Sequence, residues 1–223
     1  MASTQAAIRA RHRRQRSAWV VVAVVWISYF AVSATGAQTA QNVVKGLLMP
    51  ALLLWVVAAF GRQSPRWLVA GLVFATVGDI AIDITFVLGI AGFLVMQVCY
   101  IAGFLAMGAR AGLRGRWALA LPYLVVWLAV NLGLGSQFGD LRIPVLAYSA
   151  VLCTMASLAI GLGPRIAVGA GLFLVSDLFI AFGQADIDFA LRAATIMPTY
   201  LAAQYLIVTG WGRRVDPDVL VPG

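Results

Sequence analysis

Residues 86–107 read Phe-Val-Leu-Gly-Ile-Ala-Gly-Phe-Leu-Val-Met-Gln-Val-Cys-Tyr-Ile-Ala-Gly-Phe-Leu-Ala-Met, without a charged side chain. About 20 largely apolar residues in a row are what a helix needs to cross the hydrocarbon core of a bilayer. This stretch has that length and it decides the fold. Working outward, seven further segments have the same character or nearly so: 18–34, 43–60, 67–82, 117–134, 143–162, 166–182 and 193–211. Clusters of Gly, Pro, Ser and Arg punctuate them at 61–66, 108–116, 135–140 and 163–165. Connections this short force successive helices to lie side by side and antiparallel.

The composition agrees. Of 223 residues, 62% are hydrophobic and 11% charged, and the mean hydropathy is +0.94. A soluble domain is about 25% charged, so a water-facing surface of ordinary size cannot be built. That excludes a cytosolic globular enzyme, a disordered chain and a nucleic-acid-binding module. The formal charge of +8 reads instead as a topology signal. All of the 16 basic residues except Lys45, Arg142 and Arg192 fall in the N-terminal segment, in every second loop or after the last span. By the positive-inside rule both termini are cytoplasmic and the number of spans is even. Trp19, Trp55, Trp67, Trp117 and Trp211 lie near the expected cytoplasmic ends, where an amphipathic ring favours the interface.

The expected architecture is therefore an all-α polytopic membrane helix bundle in the cell membrane, with eight transmembrane helices. A basic cytoplasmic tail (1–17) precedes the eight-helix domain (18–212), and a short cytoplasmic tail (213–223) follows. The basic tail is a topology anchor that meets anionic membrane lipids. Arg9–Arg16, an apolar run and Ala34-Thr-Gly-Ala37 also fit a cleaved signal peptide, but the run exceeds the usual length and cleavage would leave an odd number of spans. A weak echo relates Ala70-Gly-Leu72…Asp79 to Ala170-Gly-Leu172…Asp177, and Gln97…Gly103 to Gln204…Gly210. It is what a 4+4 parallel repeat would leave, and equally what chance gives in a chain rich in Ala and Gly.

Cys99 and Cys153 lie within apolar runs and read as small buried residues. The one histidine, His12, is in the basic tail, and there is no Glu. Neither a metal site nor a cofactor is expected.

A charge at the centre of a membrane helix costs at least ~2.5–3.5 kcal/mol, so such residues are functional candidates by default. Three occur within the spans: Lys45, Asp79 and Asp177. Asp83 sits one turn beyond Asp79 at the membrane edge. At 1.5 Å per residue, all three lie one or two turns from the non-cytoplasmic boundary, so convergence on one pocket is the economical expectation. A structural salt bridge of Lys45 with one aspartate would leave the second unpaired. Polar side chains at similar depth are Asn42 (i−3 from Lys45), Gln97 and Tyr100 (i, i+3), Tyr148, Ser176, and Tyr200 and Gln204 (i, i+4). Each serves equally well as substrate contact or as interhelical hydrogen-bonding glue.

Five stretches carry a resemblance: Lys45-Gly-Leu-Leu-Met-Pro50, Val77-Gly-Asp79, Phe93 through Tyr100, Gly169-Ala-Gly-Leu-Phe-Leu-Val-Ser-Asp177, and the pair Tyr200 and Gln204. In this order and spacing, over roughly residues 40–210, the chain resembles the lysoplasmalogenase-like membrane proteins of the YhhN family. It departs from them in having Lys45-Gly46 where the family usually has Lys-Pro, and Gln97 where a histidine is common. Gln donates and accepts hydrogen bonds but cannot titrate.

The resemblance implies hydrolysis of the vinyl ether bond of a lysolipid, giving a fatty aldehyde and a glycerophospho-base. Such chemistry needs a proton delivered to carbon, an oxocarbenium-like state stabilised and a water activated, demands that two carboxylates meet in glycoside hydrolysis. On this reading one aspartate is ionised beside Lys45 and the other is kept protonated as general acid. Asp177, the deeper of the two, is the expected acid. Gly89, Gly92, Gly103, Gly169 and Gly171 either leave room for the lipid tail or pack helices closely. Two other readings fit the same residues: an ion- or proton-coupled solute transporter, and a lipid-binding relative weakened in catalysis at Gln97.

Overall fold

The computed structural model describes residues 2–219 and residue 221, with side chains described from residue 9. Among these it has nine α-helices: α1 (Ala2–Ser33), α2 (Gln38–Phe60), α3 (Arg66–Ala81), α4 (Phe86–Ala106), α5 (Ala109–Arg114), α6 (Leu121–Gly133), α7 (Arg142–Ile160), α8 (Pro164–Gln184) and α9 (Arg192–Val215). Each of the eight apolar segments is a helix. The eight are not equal as spans, however. Five helical segments are long and apolar enough to cross a membrane: Arg9–Ser33, Gln38–Gln63, Phe86–Ala106, Gly139–Ile160 and Pro164–Gln184. This is a multi-pass membrane protein. Of the other three, α3 has 16 residues and α6 has 13, short of the usual ~20. Helix α9 is long, but Arg192, Thr195, Thr199, Gln204, Thr209, Arg213 and Arg214 interrupt its apolar character.

Two features differ from the sequence reading. The basic segment that precedes the first span continues it as helix, because Ala, Gln and Arg are good helix formers even where no apolar face guides them. The stretch 108–116, read as a loop, contains α5. Gly108 (φ 85°) starts this short helix in the left-handed region. Gly112 then lets it lie backbone-to-backbone on the end of α7: a Cβ there would come within 2.0 Å of the Gly161 carbonyl oxygen.

The chain divides into two compact units, residues 1–96 with 212–223, and residues 97–211. In the first, α1 packs on α2 and α2 on α3. Trp55 is fully buried, its ring centroid 4.9 Å from that of Trp19. Arg11 donates from Nε to the Ala59 carbonyl at 3.0 Å and forms an ion pair with Asp216. The start of α4 meets α3 glycine to glycine, since a Cβ on Gly92 would lie 2.8 Å from the Cα and N of Gly78. On α1, Val20, Val24 and Ile27 form an exposed stripe while Val22 and Tyr29 are buried, as expected of a helix with one face to lipid.

In the second unit, α7 packs against α5, α6 and α8. Helices α8 and α9 approach closely at Gly169, where a Cβ would come 2.9 Å from the Ala203 carbonyl oxygen. Arg165 secures the same pair by donating from Nε to Thr209 Oγ1 at 2.8 Å. Trp211 packs on Phe104 and Tyr100, with ring centroids 5.5 and 5.9 Å apart. Trp55 and Trp211 are therefore core residues. Trp117 is 63% exposed.

Candidate active site

The second unit contains a direct contact between two of the candidate residues. Tyr148, two turns into α7, donates its hydroxyl proton to Oδ2 of Asp177 on α8 at 2.5 Å. Asp177 lies seven residues before the end of α8, about 10 Å along the helix axis, and is half-buried. Its neighbour Ser176 is buried and donates to the Ile196 carbonyl of α9 at 3.0 Å. That bond falls beside Pro198, which lies inside α9 and cannot contribute its own backbone donor. Ser176 thus ties α8 to α9 and fixes the backbone from which Asp177 projects.

A second polar contact lies on α4 and α9. Tyr100, fully buried, donates to Oε1 of Gln204, also fully buried, at 2.8 Å. Tyr200, one turn before Gln204, is buried with its ring centroid 5.7 Å from Phe173. Gln97 lies one turn before Tyr100 and is 0% exposed. Its amide faces the Tyr148 hydroxyl.

In the first unit, Lys45 of α2 forms an ion pair with Asp83, in the turn after α3. The side chains are 13% and 28% exposed, so the pair is partly shielded. Asn42, one turn before Lys45, accepts from Gln38 Nε2 at 2.8 Å. Asp79, in the last turn of α3, is 3% exposed, and the hydroxyl of Tyr29 lies in the neighbourhood of both Asp79 and Asp83. Tyr29 also accepts from Gln41 Nε2 at 3.1 Å. Gly78 brings α3 against the Phe93 ring, which a Cβ would meet at 2.9 Å, and so sets the position of Asp79. Gly46 lies against Ile80, 3.4 Å from where its Cβ would be.

The counter-ion that the structure gives Lys45 is Asp83. The sequence reading places Asp83 at the membrane edge, one turn beyond Asp79, and does not count it among the candidates. The available signal was its place four residues after Asp79, just past the end of α3. Cys99 and Cys153 are buried free thiols. Gly92 and Gly169 serve close helix packing, whereas Gly171 meets only the Tyr123 hydroxyl, at an ordinary 3.5 Å.

The model of the YhhN family matches residues 40–211. The chain belongs to the YhhN family. Relatives include a lysoplasmalogenase of Mycobacterium tuberculosis, 32% identical over 178 residues, which covers 73% of this chain and 67% of the relative. The lysoplasmalogenase of Mycobacterium bovis matches to the same extent. Lysoplasmalogenase TMEM86B of Mus musculus is 30% identical over 165 residues, covering 73% of this chain and 70% of the relative. No solved structure matches. The stretch shared with this YhhN-family model includes every candidate residue from Asn42 to Gln204.

Proposed function

We propose that this membrane protein is a hydrolase of the vinyl ether bond of lysoplasmalogens or of a related lysolipid, with Asp177 as general acid. The observation that carries the reading is the Tyr148–Asp177 pair within the apolar helices of a YhhN-family chain. Support for the substrate class comes from the relatives named lysoplasmalogenase.

The chemistry is simple to balance. Asp177 delivers a proton to the vinyl carbon remote from oxygen, and the double-bond electrons form the new C–H bond. Positive charge develops on the carbon bound to oxygen. Water adds there and gives up a proton, and the resulting hemiacetal collapses to a fatty aldehyde and a free hydroxyl on the glycerophospho-base. As Asp177 becomes a carboxylate it accepts the Tyr148 hydrogen bond more strongly, so that bond favours the transition state over the ground state. Asp79 is proposed, on the sequence argument, as the second carboxylate of the reaction. Lys45, with its charge offset by Asp83, is proposed to keep that end of the first unit polar enough for a phosphate-bearing head group. Ser176 supports Asp177 through its bond to α9, and Asn42, Tyr100, Tyr200 and Gln204 are proposed as substrate contacts or as hydrogen-bonding glue between helices.

The arrangement in the membrane is part of the proposal: eight spans, with both termini on the cytoplasmic side, following the distribution of Arg. A lysolipid has one apolar tail and one polar head, so acids one or two turns below a helix end suit it. The test is aldehyde release by the purified protein from a lysoplasmalogen in micelles. Release from the vinyl ether and not from the corresponding saturated ether is expected. No release from the vinyl ether would overturn the reading.

A further inference from the structure

Two of the membrane-crossing segments, Arg9–Ser33 and Gln38–Gln63, pack on each other within the first unit. They run antiparallel: Arg11 meets Ala59 at one end and Tyr29 meets Gln41 at the other. The Arg9 end of one and the Gln63 end of the other border a cavity of about 410 Å³. Small-ligand sites are usually about 300–1,000 Å³. Only residues of the first unit line this cavity, and none of them is a candidate of the hydrolase reading. Its polar side chains are Arg11, Arg14, Gln63 and Asp216, while Val57 and Phe60 supply apolar wall.

The two arginines are not equivalent. Arg11 is committed, to the Ala59 carbonyl at 3.0 Å and to the Asp216 carboxylate. Arg14 lies at i+3 on the same face of α1. It is exposed and makes neither a hydrogen bond nor an ion pair among the described residues. With Arg11 offset by Asp216, the cavity keeps one positive charge, on a guanidinium with five donors to offer. Arg62 and Arg214 stand next in sequence to lining residues and add to the positive field. Two of the carbonyls at the end of α2 are already taken, Ala59 by Arg11 and Val57 by the Gly61 N–H. The complementary guest is a singly charged anion that accepts from a planar fork, as the oxygens of a phosphodiester do.

What the anion is attached to can be read from α2. Val43, Leu47, Leu54 and Val57 recur at helical spacing and are all exposed. This apolar stripe runs along the span and reaches the cavity at Val57. In a bilayer, acyl chains lie along such a stripe and lipid phosphates lie where the spans end. We propose that the cavity binds a phospholipid of net negative head group, with its phosphodiester on Arg14 and Gln63 and a chain along the α2 stripe. One lipid so placed touches α1, α2 and the segment that follows α9. The proposal is independent of the hydrolase reading.

The experiment titrates the purified full chain, in a neutral detergent, with phosphatidylglycerol, phosphatidylcholine or inorganic phosphate, and reads the bound species by native mass spectrometry. Wild type is compared with Arg14→Ala and with Arg13→Ala; Arg13 is exposed on the same helix and does not line the cavity. Diffuse attraction of one basic residue to an anionic lipid surface amounts to about fivefold in affinity. A hydrogen bond to a charged group adds about tenfold or more. Arg13→Ala should therefore lose about fivefold for phosphatidylglycerol and Arg14→Ala at least about 50-fold, with lipid-free melting temperatures like wild type, since Arg14 holds nothing in the protein. Phosphatidylcholine and inorganic phosphate should bind much more weakly than phosphatidylglycerol. A loss in Arg14→Ala no greater than in Arg13→Ala would overturn the proposal, because the attraction would then be diffuse. Phosphatidylcholine binding as tightly as phosphatidylglycerol would overturn the charge selectivity, and inorganic phosphate doing so would show a site for the free anion in place of a lipid.

Discussion

Replacing Tyr148 with Phe removes one oxygen and keeps the ring that fills the space between α7 and α8. What is lost is the 2.5 Å hydrogen bond from Tyr148 to Oδ2 of Asp177. Hydrogen bonds to a charged group contribute about 1.5–3 kcal/mol, more than those between neutral groups. If Asp177 is protonated before the reaction and ionised in the transition state, most of that difference falls on the activation barrier. At 1.36 kcal/mol per factor of ten, Tyr148→Phe should lower kcat by about 10- to 150-fold. KM should change little, because the bond is strengthened only when the proton leaves. The assay is steady-state aldehyde release from lysoplasmalogen micelles, with the melting temperature as a check that the α7–α8 contact survives. A folded Tyr148→Phe protein with the wild-type kcat would refute the reasoning, because the Tyr148 contact to the acid would then have no bearing on the chemistry.

Three further predictions concern the scaffold. Lys45→Met and Asp83→Asn should each destabilise the protein by about 1–3 kcal/mol, since each leaves a partly shielded charge without its partner; the double variant should cost less than the sum, which thermal unfolding measures as a coupling. Gly92→Ala should cost about 1–3 kcal/mol by overpacking, because its Cβ would lie 2.8 Å from the backbone of Gly78, which has no side chain to move aside; a melting temperature equal to wild type would contradict the close α3–α4 contact. Hydrogen bonding to the Arg11 guanidinium holds the Asp216 carboxyl below its ordinary range. A depressed carboxyl contributes stability above its unfolded pKa and loses it as pH falls through the folded pKa. Hydrogen exchange in residues 212–219, corrected for the intrinsic pH dependence, should therefore rise on acidification and lose that pH response in Asp216→Asn.

How far the sequence could be read differs along the chain for physical reasons. Residues 86–107 predicted a helix that the structure places at Phe86–Ala106, because an uninterrupted apolar run has no competing interpretation. Helix α5 escaped notice because Arg110, Gly112 and Arg114 look like a loop; it forms by resting on Gly161, and no pattern within 108–116 announces that contact. The acids themselves were visible, since an Asp in an apolar helix is conspicuous. Their partners were not. Tyr148 and Asp177 are 29 residues apart and meet only because α7 and α8 fold back on each other. Lys45 found its counter-ion in Asp83, in a turn where depth arguments from helix length do not apply.

The account rests on Asp177 as the proton donor, and the measurement that bears on it most directly is aldehyde release by Asp177→Asn beside wild type. The amide keeps the size and can still meet Tyr148, but has no proton to give to carbon. Turnover reduced to background in a protein that inserts and melts like wild type is the predicted result. An Asp177→Asn protein that still releases aldehyde at the wild-type rate would contradict the account.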